Sequence, residues 1–537
     1  MIHPLKLSRL KILLSLVASL TSLGLGAAAP QSPRLLVGIM VEGLDGDCLE
    51  LLREQFGNGG FRRLERNGIT IAHADYGTYL DAAAAAAELM TGAAPSINGI
   101  PAEYIYDRDG NRIVSVYADA ATMGNYTNAS YSPAALKVST LSDEVRIGSG
   151  GVNVVYAVAP DPAVSLALAG HAGNSALWLD AKTGNWASST YYKELPVAVA
   201  ARNRMAPLSV RLDTMSWTPS IAPGDFPLLP DHLTRYPFRH VFPRGKSERL
   251  DMFASSPLVN AEVTDVAIDL LSSLRVGQHD GVTDVLNVAY TLEPYTYGKN
   301  PDNRPELYDA YVKLDRRLEQ LFSAIDRRVG LDSTVVFLAA TPRRPGSRRD
   351  EERWNIPYGE FSTRKAASLL NIYLMAIYGN GDYVAGFHRG QFFLNQKHIK
   401  DRGLDIRAVR AEAADFLSKM TGVDRVYTID DIIAGRAGEK SETLRRNIVR
   451  ESAGDLVIEV VPGFETIDDL TDPTAAGGNN VYRHASATAP AFIMAPGVAV
   501  RTIGTPVDVR AIAPTVASIL RIRSPNGAAV PPVKAGN

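Results

Sequence analysis

Few residues in this chain have the type and placement for shared chemistry. The apolar run 35–41, LLVGIMV, ends on Glu42 and Gly43. A carboxylate there stands where open α/β sheets place their ligands, outside the carboxyl end of a buried strand. Together with Asp81 and Glu293, Glu42 could hold a single divalent ion that activates water, the chemistry of a phosphoric or sulfuric ester hydrolase. Buried carboxylates are costly unless paired. Arg343 and Arg344 follow the apolar run 333–340 and could supply the opposite charge in a metal-free, salt-bridged pocket. In an open cleft the same arginines would suit an anionic ligand, and as solvated loop residues they would do neither. Asp81, Glu88 and Glu103 read as solvent-facing or backbone-capping groups. His171, inside AGHAGNS, has no second histidine at metal spacing and reads as structural.

The elements that must position these residues alternate between strand and helix. Strands are expected at 35–41, 153–159, 283–290, 333–340, 370–378, 455–461 and 491–494, and helices at 133–146, 260–274 and 305–326, where apolar residues recur at helical spacing. The alanine run 82–87 reads as a helix packed closely on the sheet, because alanine is the strongest helix former. Such alternation predicts an α/β fold, a large mostly parallel sheet flanked by helices. Prolines and aromatics in 186–244 point to an irregular segment covering the strand ends. The expected organisation is a leader over 1–29 and one large domain over 30–537, with cap insertions at roughly 110–255 and 345–455.

At 537 residues, with 46% hydrophobic and 21% charged residues, the chain has the composition of an ordinary globular protein. A formal charge of −2 offers no electrostatic case for nucleic acid. A single cysteine, Cys48, excludes an intramolecular disulfide framework and a cysteine-rich zinc site; it reads as a buried thiol on a helix face. Lys6, Arg9 and Lys11, then ILLSLVASLTSLGLG and three alanines ending at Ala29, have the layout of a secretory signal peptide. A retained membrane anchor is the competing reading, since roughly 18 apolar residues suffice for a span. The Ser, Thr and Gly content and the Pro-Gln-Ser-Pro exit favour cleavage, leaving no transmembrane helix and a periplasmic or secreted protein.

The order of several motifs resembles the alkaline phosphatase superfamily, and within it the type I phosphodiesterase/nucleotide pyrophosphatases and the secreted, phosphate-irrepressible bacterial alkaline phosphatases. The matching pieces are the strand ending in Gly43, GGFRRLERNG at 59–68, MTGAAPSINGI at 90–100 and the Tyr106-Asp107-Arg108 turn. AGHAGNSALWLD at 169–180, SSTYYKELP at 188–196, NIYLMAIYG at 371–379, GVDRVYT at 422–428, GDLVIEVVPGF at 454–464 and IAPTVASILRIRSPNG at 512–527 continue the likeness, which covers nearly everything after residue 34. The resemblance implies an alkaline phosphatase-like fold and phosphomonoesterase or phosphodiesterase chemistry. It also implies two zinc ions that activate a Thr or Ser nucleophile and clamp the reacting oxygens.

Carried over residue by residue, that chemistry fails. The strand-end aspartate is Glu42, the nucleophile position is Ala82, and the Asp-x-x-x-His element becomes Glu293 and Tyr297. The Asp-His pair becomes Thr341 and Pro342, and the last histidine aligns with Thr488, with His484 four residues away. The phosphate-contacting asparagine aligns with Glu103 and the Lys-x-Arg pair with Asp161 and Ala163. Without a hydroxyl at Ala82 no covalent phosphoryl intermediate forms there. The expectation is therefore an exported, non-catalytic member that binds no zinc and serves binding or assembly in the cell envelope, its partner an envelope protein or an anionic ligand. An ester hydrolase with a rebuilt site is the alternative.

Overall fold

The Leu35–Glu42 strand lies between two parallel partners, Asp284–Thr291 and Thr334–Ala340. Seven of its eight residues are buried, as a parallel strand covered on both faces requires, hence the unbroken aliphatic run. Gly38 is demanded by close approach: a Cβ there would stand 2.3 Å from Asn287 Oδ1 and 2.7 Å from the Phe337 ring. The computed structural model describes residues 32–534 apart from 79, 193, 236, 301, 343–358, 462, 469 and 471–486. The leader, Arg343, Arg344 and His484 lie outside the described residues.

Among the described residues the main sheet has eleven strands. Its parallel centre runs Thr334–Ala340, Leu35–Glu42, Asp284–Thr291, Val155–Ala159, Ser175–Leu179. Thr488–Met494 adds antiparallel to Thr334–Ala340, and Ile69–Asp75 antiparallel to that. Trp186–Ser189 adds antiparallel at the other side. Helices Leu258–Ser273 and Arg304–Arg328 cover one face. The other is covered by Ala82–Thr91, Pro162–Ala169 and Ile512–Leu520. Ala83, Ala84, Ala85, Ala86 and Ala87 are all buried, so the small side chains bring this helix close to the sheet.

The retained motifs hold this frame together. In GGFRRL the two glycines let the loop approach the Arg304–Arg328 helix: a Cβ on Gly60 would stand 2.4 Å from the Asp315 carbonyl. The Asp315 carboxylate accepts from the Gly57 and Phe61 amides, both at 2.8 Å. Gly92, left-handed at φ +61°, closes the alanine helix, and Pro95 opens the next one, the pairing of breakers that sharp helix ends favour.

Several expectations need correction. Residues 370–378 belong to the helix Thr363–Tyr378, started by the Ser362 side chain accepting from Lys365 N. Ala366, Leu370 and Leu374 are buried at four-residue spacing, while Leu369, Ile372 and Ile377 are exposed, so apolar residues on both faces hide the helical period. Residues 455–461 do form a strand, Leu456–Val460, but in the smaller sheet described below. The 133–146 segment is a short turn, Pro133–Ala135, and a separate helix, Leu141–Gly148, started by a Thr140–Asp143 capping box. The 186–244 stretch is not wholly irregular: it opens with the Trp186–Ser189 strand and contains the helix Val197–Met205. Within 110–255 four strands, Gly124–Asn125, Val155–Ala159, Ser175–Leu179 and Trp186–Ser189, belong to the main sheet. Cys48, on the helix Gly46–Leu51, is partly rather than fully buried.

Between Thr334–Ala340 and Thr488–Met494 the chain builds a cap. Its four-stranded sheet runs Val384–His388, Gln391–Leu394, Leu456–Val460, Val423–Thr428. Helices Thr363–Tyr378 and Ile406–Ser418 complete a separate hydrophobic core around Leu370, Phe387 and Phe392.

Three arginines join cap to core. Arg108, from the Tyr-Asp-Arg motif, reaches the fully buried Asp455 of the cap at 3.0 Å and lies 4.9 Å over the Phe393 ring. Asp455 also accepts from Arg410 at 2.7 Å, Gln396 at 2.8 Å and the Leu394 amide at 2.8 Å. In the reverse direction, cap residue Arg389 bonds Asp81 at 2.8 Å, and cap residue Arg446 bonds Glu88. Glu88 is fully buried rather than solvent-facing. Its burial outweighs Arg446 and pushes the carboxyl up to about 7.

Two outcomes follow from these joints. Asp455→Ala removes the anion that Arg108 and Arg410 share, leaving Arg410 with Asp430 and Arg108 with the Ala453 carbonyl, and is expected to cost about 3 kcal/mol, the lower end for removing one partner of a buried pair; urea unfolding followed in the cap measures it. Folded Glu88 keeps its proton to about pH 7, whereas its unpaired reference value is 4.5. The stability it contributes is therefore fully present below 4.5 and is lost as pH rises through 7. Glu88→Gln is expected to flatten the urea midpoint across that window, and an unchanged pH slope would contradict the assignment.

Candidate functional site

At the carboxyl end of the central strand the chain turns at Gly43, which has φ +73°. The Gly43 amide donates to Thr341 Oγ1 at 3.1 Å, and the Thr341 amide to the Val41 carbonyl at 2.9 Å. The Thr341 hydroxyl thus ties two neighbouring strand ends together. The Tyr76 hydroxyl donates to the Ala340 carbonyl at 2.8 Å. Across the gap, Ala82 is the first residue of the alanine helix and Asp81 its N-cap.

Asp81 is fully engaged. One oxygen accepts from the Ala84 amide at 3.0 Å, the other from the Glu103 amide at 2.9 Å and from Arg389 at 2.8 Å. Capping is the role expected of it, and the ion pair with the cap is additional. Arg389 is held for this contact at a hairpin tip in the left-handed region, φ +48°, with Gly390 at φ +74°, a two-residue turn that matches strand twist.

Glu42, Ala82 and Glu293 come together as lining of one cavity of about 300 Å³, with Asp161, Asp180 and Asp251 on the same wall. Burial and the neighbouring Asp161 push the Glu103 carboxyl up to about 8. Burial likewise raises Asp161 to about 6, against the pull of the Val164 and Ala163 amides. Carboxylates crowded away from water relieve their repulsion by keeping a proton. At the positions where the resemblance puts an asparagine and a Lys-x-Arg clamp, this chain carries Glu103, Asp161 and Ala163, none of them a cation.

Other expected positions are not gathered into the cavity. Tyr297 packs 5.8 Å from Tyr295, at the edge of an aromatic cluster with Trp217 and His240. Pro342 is buried just past the Thr334–Ala340 strand. Thr488 starts the antiparallel strand opposite Asp75. His171 bonds Asp143 and the Leu136 carbonyl, both at 3.1 Å, the structural role expected of it. Asp180, Asp251 and Arg389 were not singled out by sequence; the only local signal was the Arg-Gly pair at the hairpin tip.

Two zinc ions need a set of close carboxylates, imidazoles or thiolates. Among the described residues no group of three or more His, Cys, Asp or Glu is placed to hold a metal ion. Thr341 spends its hydroxyl on Gly43, and a methyl stands at Ala82. The described residues therefore do not fit the two-zinc centre.

Comparison with known proteins accounts for the frame around this cavity. The family model of type I phosphodiesterase / nucleotide pyrophosphatase matches residues 36–486. A protein named calcium-transporting ATPase from Myroides odoratus is 28% identical, with 93% of each chain covered. Alkaline phosphatase PafA of Elizabethkingia meningoseptica is 26% identical, with 93% of this chain and 94% of that one covered. A crystal structure of wild-type PafA superposes with a TM-score of 0.80 at 24% identity, over 94% of this chain and 99% of that chain, a likeness of fold. The motifs, the sheet order and the extent of the match agree: this chain belongs to the type I phosphodiesterase / nucleotide pyrophosphatase family.

Proposed function

We propose that this protein is an exported, non-catalytic member of its family, which keeps the scaffold for a binding or assembly role in the cell envelope. The observation that carries the reading is Ala82: a methyl group begins the helix at the mouth of the strand-end cavity, beside Glu42 and Glu293. The carboxylates on that wall weigh against an anionic ligand inside it, which leaves an envelope protein as the favoured partner. Export rests on the basic and apolar start of the sequence, and no described helix is long and apolar enough to cross a membrane.

The second reading, a rebuilt ester hydrolase, draws on one feature, that Glu42, Asp161, Asp180, Asp251 and Glu293 line a single cavity, although no three of them are placed together to hold a metal ion in this structure. A divalent ion recruited there would make water the nucleophile.

Aryl phosphate, diester and sulfate assays with zinc, magnesium, manganese or calcium separate the two. Wild type and Ala82→Thr are both expected to be inactive, because members of a catalytic unit are non-additive and one repaired member recovers little. Metal-dependent turnover by wild type would establish the rebuilt hydrolase instead. A strong chelator is expected to leave the melting temperature unchanged, since no metal contributes to folding; a drop reversed by zinc would reveal a metal site. N-terminal sequencing of the natively produced protein is expected to start near residue 30, and an intact Met1 on a cytoplasmic product would defeat export.

A further inference from the structure

A second cavity, about 450 Å³, lies on the seam between core and cap, away from Glu42 and Ala82. Thr78, Leu80, Ala102, Tyr104 and Tyr106 form its core wall; the cap contributes His388, Arg389, Gln391, Phe393 and residues of the helix beginning at Ser441. The volume falls within the roughly 300–1,000 Å³ typical of small-molecule sites.

Its charged residues are satisfied from within. Lys440 bonds both Glu459 oxygens at 2.7 Å, and Arg389 is held by Asp81 at 2.8 Å. Burial pushes the His388 imidazole down to about 4, so at neutral pH it is uncharged and gives its Nε2–H to the Tyr104 carbonyl at 2.9 Å. An ionic ligand would have to break one of these pairs and leave a charge stranded in a poorly solvated place. Uncharged polar groups mix with apolar and aromatic ones over the rest of the lining: Phe393 packs 4.3 Å from Tyr106, Leu444 and Val457 add aliphatic surface, Thr78, Thr443, Ser452 and Asn447 add hydroxyls and an amide, and Tyr104 leaves 45% of its surface open. Gln391 uses its amide oxygen to accept from Gly454 at 2.7 Å, which leaves its NH₂ as a donor.

We propose that this seam cavity binds an uncharged, planar aromatic molecule carrying a hydrogen-bond acceptor, and that the bound molecule holds the cap against the core. The inference goes beyond the non-catalytic reading and does not depend on it, since none of its residues is a strand-end group.

The probe is 6-propionyl-2-dimethylaminonaphthalene, uncharged and aromatic with a ketone oxygen as acceptor, titrated into the purified chain with its fluorescence as readout. One saturable site per chain is expected, together with a higher melting temperature. Thr443→Trp and Ser452→Trp, which fill the cavity from two sides, are expected to weaken binding at least tenfold while circular dichroism stays that of wild type; either variant suffices if the other does not fold. The anionic analogue 6-dimethylaminonaphthalene-2-sulfonate is expected to bind at least tenfold more weakly. Absence of saturable binding, unchanged affinity in a folded tryptophan variant, or equal affinity for the sulfonate would overturn the proposal.

Discussion

A carboxylate taken out of water must find a cation or keep its proton, and that constraint governs the joint between core and cap. Asp81 and Glu88 sit at the start and in the body of the alanine helix, and each meets an arginine from the cap. Asp455 in the cap is met in turn by Arg108 from the core. The contacts are reciprocal: Asp81 and Glu88 of the core draw their arginines from the cap, while Asp455 shares the cap's Arg410 with Arg108 of the core. Burial pushes Glu88 upward despite Arg446, and at Glu103 and Asp161, which have no arginine hydrogen bond among the described residues, the carboxyls are likewise pushed upward.

The same constraint separates two kinds of family residue. Gly60, Gly92, Pro95 and Arg108 are retained and do mechanical work: close approach to Asp315, a left-handed helix end, a helix start and a tie to Asp455. The positions at Ala82, Tyr297, Thr341, Pro342 and Thr488 carry other chemistry and are absorbed into packing or strand joins. On the reading proposed above, architecture and reactivity vary independently on one scaffold, which is the general relation of fold to function.

Much of the frame was legible because parallel strands covered on both faces read as unbroken aliphatic runs, as at Leu35–Glu42 and Thr334–Ala340. The helix Thr363–Tyr378 was misread because exposed Leu369, Ile372 and Ile377 erase the polar face that marks a helix. In the site, Glu42 and Glu293 are read from their places after strands and Ala82 from its distance before Thr91 and Gly92, and all three line one cavity. Glu88 and Arg389 were not legible, because a charged residue's burial depends on a partner some 300 or more positions away. No local pattern encodes such a distance.

The order of the strands has a consequence for synthesis. Ile69–Asp75 finds all its partners, Thr488–Met494, Arg501–Ile503 and Val507–Asp508, near the far end of the chain. The buried Thr334–Ala340 strand likewise waits for Thr488–Met494 on one side. At ribosomal speeds of about 5–20 residues per second, the intervening cap takes roughly 10–30 s to emerge. Through that interval an apolar strand edge stands open, the kind of template that recruits foreign strands. The cap can collapse on its own core meanwhile, drawing together the two ends that the sheet must join and shortening the loop left to close. Translation rate and chaperone capture therefore bear on this fold through one late strand.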